Sequence, residues 1–255
     1  YDRLVHESDF EPDLERRRAE LTFVIVGGGA TGVELAGAMA EISRMSIPRD
    51  FRAIDTRSTR VILIEAQDRL LVSFPEDLSR RAQRDLENLG VQVWLSTRVT
   101  DIDESGVTIG AERIQTRNVF WAAGVTASPL GRRLAEATGS ATDRAGRVLV
   151  GPDLSIPGQP HVFVVGDLAS IVDPATGEPV PGVAQGAMQM GVHAARIIAR
   201  QIDASARSAP APDRPAFRYR DKGILATIGR GKAVGVINRL HVRGWLAFQV
   251  WAFIH

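Results

Sequence analysis

The apolar run Leu21-Thr22-Phe23-Val24-Ile25-Val26 is short, rich in β-branched residues and free of charge, which predicts a strand buried on both faces of a sheet. It stops at Gly27-Gly28-Gly29-Ala30-Thr31-Gly32, and from Val33 to Arg44 apolar residues recur at helical spacing, so the chain reads strand, glycine turn, helix. A polar link from Ser46 to Thr59 leads into a second apolar strand, Arg60 to Glu65, that ends in an acid. Pro75 opens and Gly90 closes a predicted helix reaching Leu89; Val91 to Leu95 is a third strand. Short alternating runs from Val99 to Ile114 predict a small antiparallel meander, and Val119-Phe120-Trp121 closes the unit at Ala122-Ala123-Gly124. A second unit starts near Thr126, with strands at Val148 to Val150 and Val162 to Val165 and a long helix from Ala184 to Ile202. Ser205 to Pro215 reads as a linker by its Ala/Pro/Ser composition, and a tail begins at Phe217.

Composition narrows the chemistry. The 255 residues are 44% hydrophobic and 24% charged, which excludes simple disorder. They include no cysteine, so disulfides, thiolate metal sites, iron–sulfur clusters and a redox-active Cys pair are excluded, and electron chemistry requires a bound cofactor. Net charge is +1, but the segment from Arg214 to His255 holds eight basic residues against the single acid Asp221, a local +7 set against −6 elsewhere. It ends in Trp245, Leu246, Phe248, Val250, Trp251, Phe253 and Ile254, which fits either an anionic lipid surface or a basic solvated face leading into a core helix. The apolar stretch from Gly244 to His255 is 12 residues, too short to span a bilayer that needs about 20. No signal peptide, internal repeat, P-loop or Ser-His-Asp order is visible, and His6, His161, His193, His241 and His255 lack metal-ligand spacing, so no metal site is expected.

The sharpest motif is Gly27-x-Gly29-x-x-Gly32 between a strand and a helix. The first glycine permits the tight turn, the second lets backbone approach a pyrophosphate, and the third lets helix pack on strand, while the anion rests on the helix N-terminus. Glu65, at the end of the second strand, is the residue expected to hydrogen-bond the ribose hydroxyls; its charge opposes a 2′-phosphate and so favours NADH over NADPH. Its separation from Gly27 is 38 residues instead of about 20. The link from Ser46 to Thr59 must therefore loop out, and Arg60 or Arg69 remain candidates to meet a phosphate.

Phe23 to Gly37, Val61 to Leu71, Trp121 to Val125, Val162 to Ala169, Ala184-Gln185 and Asp221-Lys222-Gly223-x-x-Ala226-Thr227-Ile228-Gly229 together make the sequence resemble the type II NADH:quinone oxidoreductases, single-subunit flavoproteins of the two-dinucleotide-binding-domain superfamily. The resemblance covers nearly the whole chain from Leu21. It implies an α/β fold of two Rossmann-like domains, of which the first half of the FAD domain lies upstream of Tyr1, plus a C-terminal membrane-associating tail that continues past His255. The implied division is 1–20 linker, 21–125 NADH domain, 126–204 second part of the FAD domain, 205–216 linker and 217–255 membrane-binding region.

The same resemblance implies roles. Gly27, Gly28, Gly29, Gly32, Glu65 and Gly124 would serve NADH, and Gly166, Asp167 and the helix start at Ala184 would serve FAD, although turn aspartates after strands are common without any ligand. Glu34 would stand near the nicotinamide and flavin rings to orient or relay protons, against the plainer reading of a first-turn acid. Gln185 would meet the quinone head group at the flavin, against an ordinary first-turn residue. Lys222 would sit near the flavin and is one of two lysines beside 29 arginines. The implied activity is hydride transfer from NADH to FAD and two-electron reduction of a membrane quinone without proton pumping, on the cytoplasmic face of the inner membrane. Implied partners are NADH, quinone, lipid and a homodimer mate, with no nucleic acid. Two other readings stand beside it: an NADH-dependent reductase of a ferredoxin or rubredoxin, and a non-catalytic NADH-binding module.

Overall fold

The computed structural model describes residues 13–46, 59–237 and 240–254. They divide into two compact units, one of 13–124 with 223–254, the other of 125–222.

The first unit begins with α1 (Leu14–Glu20), whose start is capped by the Asp13 carboxylate accepting the Glu15 and Arg16 N–H groups; the charged stretch read as linker is therefore helical from 14. Next come β1 (Thr22–Val26), α2 (Ala30–Glu41), β2 (Arg60–Ile64), α3 (Glu76–Asn88) and β3 (Gln92–Trp94), followed by the antiparallel strands β4 (Asp101–Asp103), β5 (Gly106–Ile109) and β6 (Glu112–Gln115), and by β7 (Asn118–Trp121). The main sheet is parallel in the order β3-β2-β1-β7, so strand order reverses at β1, whose five residues are all buried. Phe23 and Ile25 face α2 and α3 through Val33, Ala36, Leu78, Ala82 and Leu86; Val24 and Val26 face the meander through Val107 and Ile114. A two-sided apolar strand covered on both faces is what the uninterrupted run at 21–26 requires.

A third layer lies over the helices. Strands β12 (Ile224–Thr227), β13 (Ala233–Ile237) and β14 (Leu240–Arg243) form an antiparallel sheet, and Ala226, Ile228 and Val234 are buried in the same cluster as α2 and α3. The last helix, Gly244–Ile254, packs on this sheet.

The second unit holds α4 (Pro129–Thr138), capped by Ser128 and ended by Gly139 at φ +69°, then β8 (Val148–Leu149), β9 (Ser155–Ile156), β10 (Gln159–Phe163), a 3₁₀ turn at Gly166–Leu168, β11 (Ala169–Ser170) and α5 (Ala184–Ala206). β8 pairs parallel with β11, and β9 antiparallel with β10. Its core is Val148, Leu154, Ile156, Val164, Ala169, Ile171, Val180, Met190 and Phe217.

Several expectations shift. The helix expected from Val33 (α2) starts at Ala30, three residues early, and continues as a π-helical turn at Ile42–Ser46; the link reaching Thr59 lies mainly outside the described residues. The strand expected at 162–165 ends at Phe163, because the chain turns at Gly166 (φ +68°) into the 3₁₀ turn. The region read as one tail from Phe217 divides: Phe217 is 2% exposed in the core of the second unit, and only the chain from Gly223 onward belongs with the first. The basic charge of that region is partly spent internally, since Arg214 pairs with Asp153 at 3.0 Å and Lys232 lies 3.9 Å from the buried Asp85.

Candidate functional site

The glycine turn lies at the carboxyl ends of β1 and β7, where the sheet order reverses and open α/β sheets bind ligands. Gly27 holds φ +111°, and a Cβ there would lie 2.6 Å from the Ala122 carbonyl and the Ala123 nitrogen. A Cβ on Gly32 would stand 1.9 Å from the Gly27 carbonyl oxygen, so helix and turn touch only because the residue is glycine. A Cβ on Gly29 would meet nothing within 4 Å: this residue faces open space at the start of α2, and no side chain caps the helix there. An uncapped first turn with a bare backbone in front of it suits a pyrophosphate, whose oxygens would accept the free N–H groups.

Glu65 lies beside the turn. Its Oε2 accepts the Gly28 N–H at 2.5 Å and its Oε1 accepts the Gln67 N–H at 2.7 Å, so the carboxylate staples the turn to the loop after β2 and keeps one further acceptor direction on each oxygen. The Gly28 carbonyl accepts the Leu71 N–H at 2.8 Å, and the Glu65 carbonyl the Thr97 N–H at 2.9 Å, which fastens the loops after β2 and β3. Neither arginine considered for a phosphate is placed to reach one. The Arg69 guanidinium donates to the carbonyls of Val72 and Phe74 at 2.8 and 2.9 Å, and Arg60 stands at the opposite end of β2, donating to Gln92 Oε1 at 3.4 Å. Gly124 (φ +100°) follows β7 with open space at its Cβ position.

Glu34 is not a first-turn acid, because α2 begins at Ala30 and has none there. Its Oε1 accepts the Thr227 N–H of β12 at 3.1 Å, and Glu41 accepts the Arg230 N–H at 2.5 Å. Between them Gly37 lets backbone meet backbone, since a Cβ there would lie 2.9 Å from the Gly229 nitrogen. Sequence reasoning missed this face of α2; the spacing Glu34, Gly37, Glu41 was its only signal.

In the second unit the structure brings Gly166, Asp167, Ala184 and Gln185 together. A Cβ on Gly166 would meet that of Ala187 at 3.3 Å, one on Gly182 would lie 3.7 Å from Asp167 Oδ1, and the Gly166 N–H points to Met190 Sδ at 3.3 Å. Asp167 and Ala184 are exposed, and α5 begins at Ala184 after Val183, which gives it no side-chain cap, so its first-turn N–H groups face outward beside the carboxylate. That set fits one polar end of a flavin nucleotide: an acceptor for ribityl hydroxyls and a positive helix end for a negative ring edge. Gln185 is half-buried in that first turn, and Lys222 is exposed at the end of the unit. Among the described histidines, His193 bonds the Pro215 carbonyl and His241 pairs with Asp77, and among the described residues no group of three or more His, Asp or Glu could hold a metal.

A family model described as pyridine nucleotide-disulphide oxidoreductase matches residues 3–191. The chain is 43% identical over 254 residues to the type II NADH:quinone oxidoreductase Ndh of Mycobacterium tuberculosis, covering 98% of this chain and 53% of the relative. It is 41% identical to NdhA of the same organism (97% and 52%), and 30% identical to a type II NADH:quinone oxidoreductase of Haemophilus influenzae (96% and 53%). The chain thus spans about half the length of the curated relatives it matches. Among solved structures, NDH2 of Plasmodium falciparum in complex with NADH superposes with a TM-score of 0.87 at 16% identity, over 99% of this chain and 65% of that one. A ferredoxin reductase of Rhodopseudomonas palustris gives 0.60 at 17%, over 85% and 47%.

Proposed function

The chain belongs to the pyridine nucleotide-disulphide oxidoreductase family, and on that premise we propose that it is the nucleotide-binding and flavin-gripping part of a membrane-associated, non-pumping NADH:quinone oxidoreductase. The observation that carries the reading is the bare, uncapped turn from Gly27 to Gly32 with Glu65 stapled beside it. In this reading the first-turn N–H groups of α2 hold the pyrophosphate of NADH, and Glu65 accepts from the adenosine ribose with the lone pairs its two backbone donors leave over. With Arg69 occupied by carbonyls, nothing described beside Glu65 compensates a 2′-phosphate, so NADH is preferred over NADPH. Asp167 and the first turn of α5 hold FAD, and Gly124 lets the chain pass close to the bound nucleotide. Bound flavin supplies the two-electron carrier between nicotinamide and acceptor.

The acceptor is a quinone, as the names of the relatives indicate. Gln185 donates its amide N–H to a quinone carbonyl, and Lys222 offers a compact cation at the same end of α5. The last helix, 244–254, places the protein on the lipid. It is apolar on every side but Gln249, and Trp245, Leu246 and Phe253 are exposed on it, Phe253 by 93%. Among the described residues no helix is long and apolar enough to cross a membrane, which fits attachment to one leaflet, the cytoplasmic one in this reading. Glu34, fastened to Thr227, acts from the second turn of the helix that carries the nucleotide.

The test uses the natural full-length protein under anaerobic conditions. NADH should bleach the flavin absorbance and a short-chain quinone should restore it. A flavin that NADH cannot bleach would leave a binding module, and one reoxidised only by a ferredoxin or rubredoxin would move the protein to a soluble-carrier reductase.

A further inference from the structure

Residues 214–222 have no regular secondary structure, yet they are tied to the second unit at almost every other position. The Pro215 carbonyl meets His193 Nε2 at 3.0 Å, and the buried Phe217 donates its N–H to the Pro152 carbonyl at 2.7 Å with its ring edge-on to His193. The Tyr219 N–H goes to Asp173 Oδ2 at 2.9 Å; Asp173, 4% exposed, spends Oδ1 on the Ala175 N–H at 2.8 Å. Arg220 is held at both ends of its backbone by one side chain: the Gln189 Nε2 donates to its carbonyl and the Gln189 Oε1 accepts its N–H, each at 2.9 Å. A primary amide carries donor and acceptor side by side, as both bonds require.

The strap has a direction. Gln185, Gln189 and His193 fall at i, i+4 and i+8, one line along α5. Residue 215 is tied at His193 and residue 220 one turn earlier at Gln189, while a Cβ on Gly186 would lie 4.0 Å from Tyr219 Cε2. The chain therefore runs toward the N-terminal end of α5 and reaches its first turn just before Lys222. The ring environment agrees: burial, with a lesser effect from the Asp221 charge, pushes the Tyr219 hydroxyl above its ordinary range.

We propose that Gln189 is a positioning residue, with Asp173 as its companion, which fixes Tyr219 and Arg220 across the first turn of α5 and so sets the backbone from which Lys222 departs toward the Gln185 end of that helix. The proposal rests on the role given to Lys222 above. A strap that served only to seal Phe217 into the core would need neither a two-way amide at residue 220 nor a buried carboxylate at residue 219, since Phe217 is already tied to Pro152.

The test uses the full-length holoenzyme with Gln189→Leu, Lys222→Gln and the double variant; Gln189→Met, an unbranched side chain of similar length that offers Arg220 neither the amide donor nor the amide acceptor, serves with the same readouts if Gln189→Leu does not fold. Hydrogen exchange reads the strap without reference to the flavin: the Arg220 amide should exchange roughly tenfold faster in Gln189→Leu while the Phe217 amide keeps its protection. Stopped-flow reads the consequence: bleaching by NADH should be unchanged, and reoxidation by a short-chain quinone should slow roughly tenfold in each single variant with little further loss in the double one. Unchanged exchange at Arg220, or independent losses in the double variant, would overturn the proposal. If Lys222→Gln reoxidises at the parental rate, the role of Lys222 fails and positioning falls with it. If Lys222→Gln is slow and Gln189→Leu is not, only the positioning proposal falls.

Discussion

Glu65→Gln separates the two things Glu65 is asked to do. The carboxylate now accepts two backbone N–H groups, from Gly28 at 2.5 Å and Gln67 at 2.7 Å, with one oxygen each. An amide of the same shape has one oxygen, so one of those donors faces an NH₂ group. Leaving a donor unsatisfied costs about 1–3 kcal/mol, and because Glu65 is half-buried and water can reach it, the lower end applies. About 1 kcal/mol corresponds to a fall in Tm of roughly 2–4 °C for a domain of this size. The ligand term is separate. Hydrogen bonds from a ribose to a charged acceptor are worth about 1.5–3 kcal/mol, so the Kd of the 2′-hydroxyl nucleotide should rise about 10- to 150-fold. A nucleotide carrying a 2′-phosphate has no such bond to lose and gains from removal of a like charge, so its Kd should hold or fall. Titration calorimetry with NAD⁺ and NADP⁺ on the full-length protein reads both without turnover, beside a melting curve. A lower Tm with an unchanged ratio of the two Kd values would reduce Glu65 to a staple of the loop and refute its part in nucleotide choice.

Gly32→Ala would put a methyl carbon 1.9 Å from the Gly27 carbonyl oxygen, backbone against backbone, so the same titration should show NAD⁺ binding weakened more than tenfold; binding within twofold of the parent would mean the turn can open without harm. Gly29→Ala, in open space, should leave Tm unchanged, which makes it the control for fold. Asp103 is held at about 2, below the ordinary carboxylate range, by the N–H and hydroxyl of Ser105 and by Arg113. A depressed carboxyl contributes stability above its unfolded value and loses it as pH falls through the folded one, so urea midpoints of the parent should drop between pH 4 and 2 more steeply than those of Asp103→Asn, and parallel curves would contradict this. Replacing Leu246 and Phe253, 61% and 93% exposed, by serine should leave Tm unchanged and abolish flotation of the full-length protein with anionic vesicles; undiminished flotation would remove the last helix as the lipid-facing element.

The first unit was legible because its elements obey one rule at a time. The uninterrupted run at 21–26 can only be a strand covered on both faces, and the glycine turn follows it with the spacing that a phosphate-facing turn demands. The helix from Pro75 to Leu89 carries its own stop signals and was placed within a residue at each end. Less legible was whatever depends on long-range pairing. β8 was expected at 148–150, but β11, whose two residues meet it across 21 positions, is too short for period-two alternation to register. The strap at 214–222 has no periodicity at all and is ordered by side chains of α5 and by Asp173, so its first residues read as linker and the rest as the start of a tail, although Phe217 is a core residue. Gln189 was passed over for the same reason: a glutamine one turn after Gln185 signals nothing until the backbone opposite it is known.

Helix α2 shows how one element can serve both ends of the proposed function. Its first turn is bare, which forgoes the stabilisation a capping side chain would give, about 0.5–2 kcal/mol. The deficit is made up on its outer face, where Glu34 and Glu41 accept the N–H groups of Thr227 and Arg230 and Gly37 lets the Ile228–Gly229 backbone close on the helix. Those two N–H groups belong to the β12–β13 hairpin, and the helix at 244–254 packs on β13. The helix whose N-terminus is left uncapped is thus also the helix that anchors the apolar C-terminal segment. A carboxylate at position 34 cannot then be judged by its distance to a ring alone: one lone-pair direction of its Oε1 is already committed to Thr227, which fixes how the carboxylate is turned and leaves its other acceptor directions for a ligand.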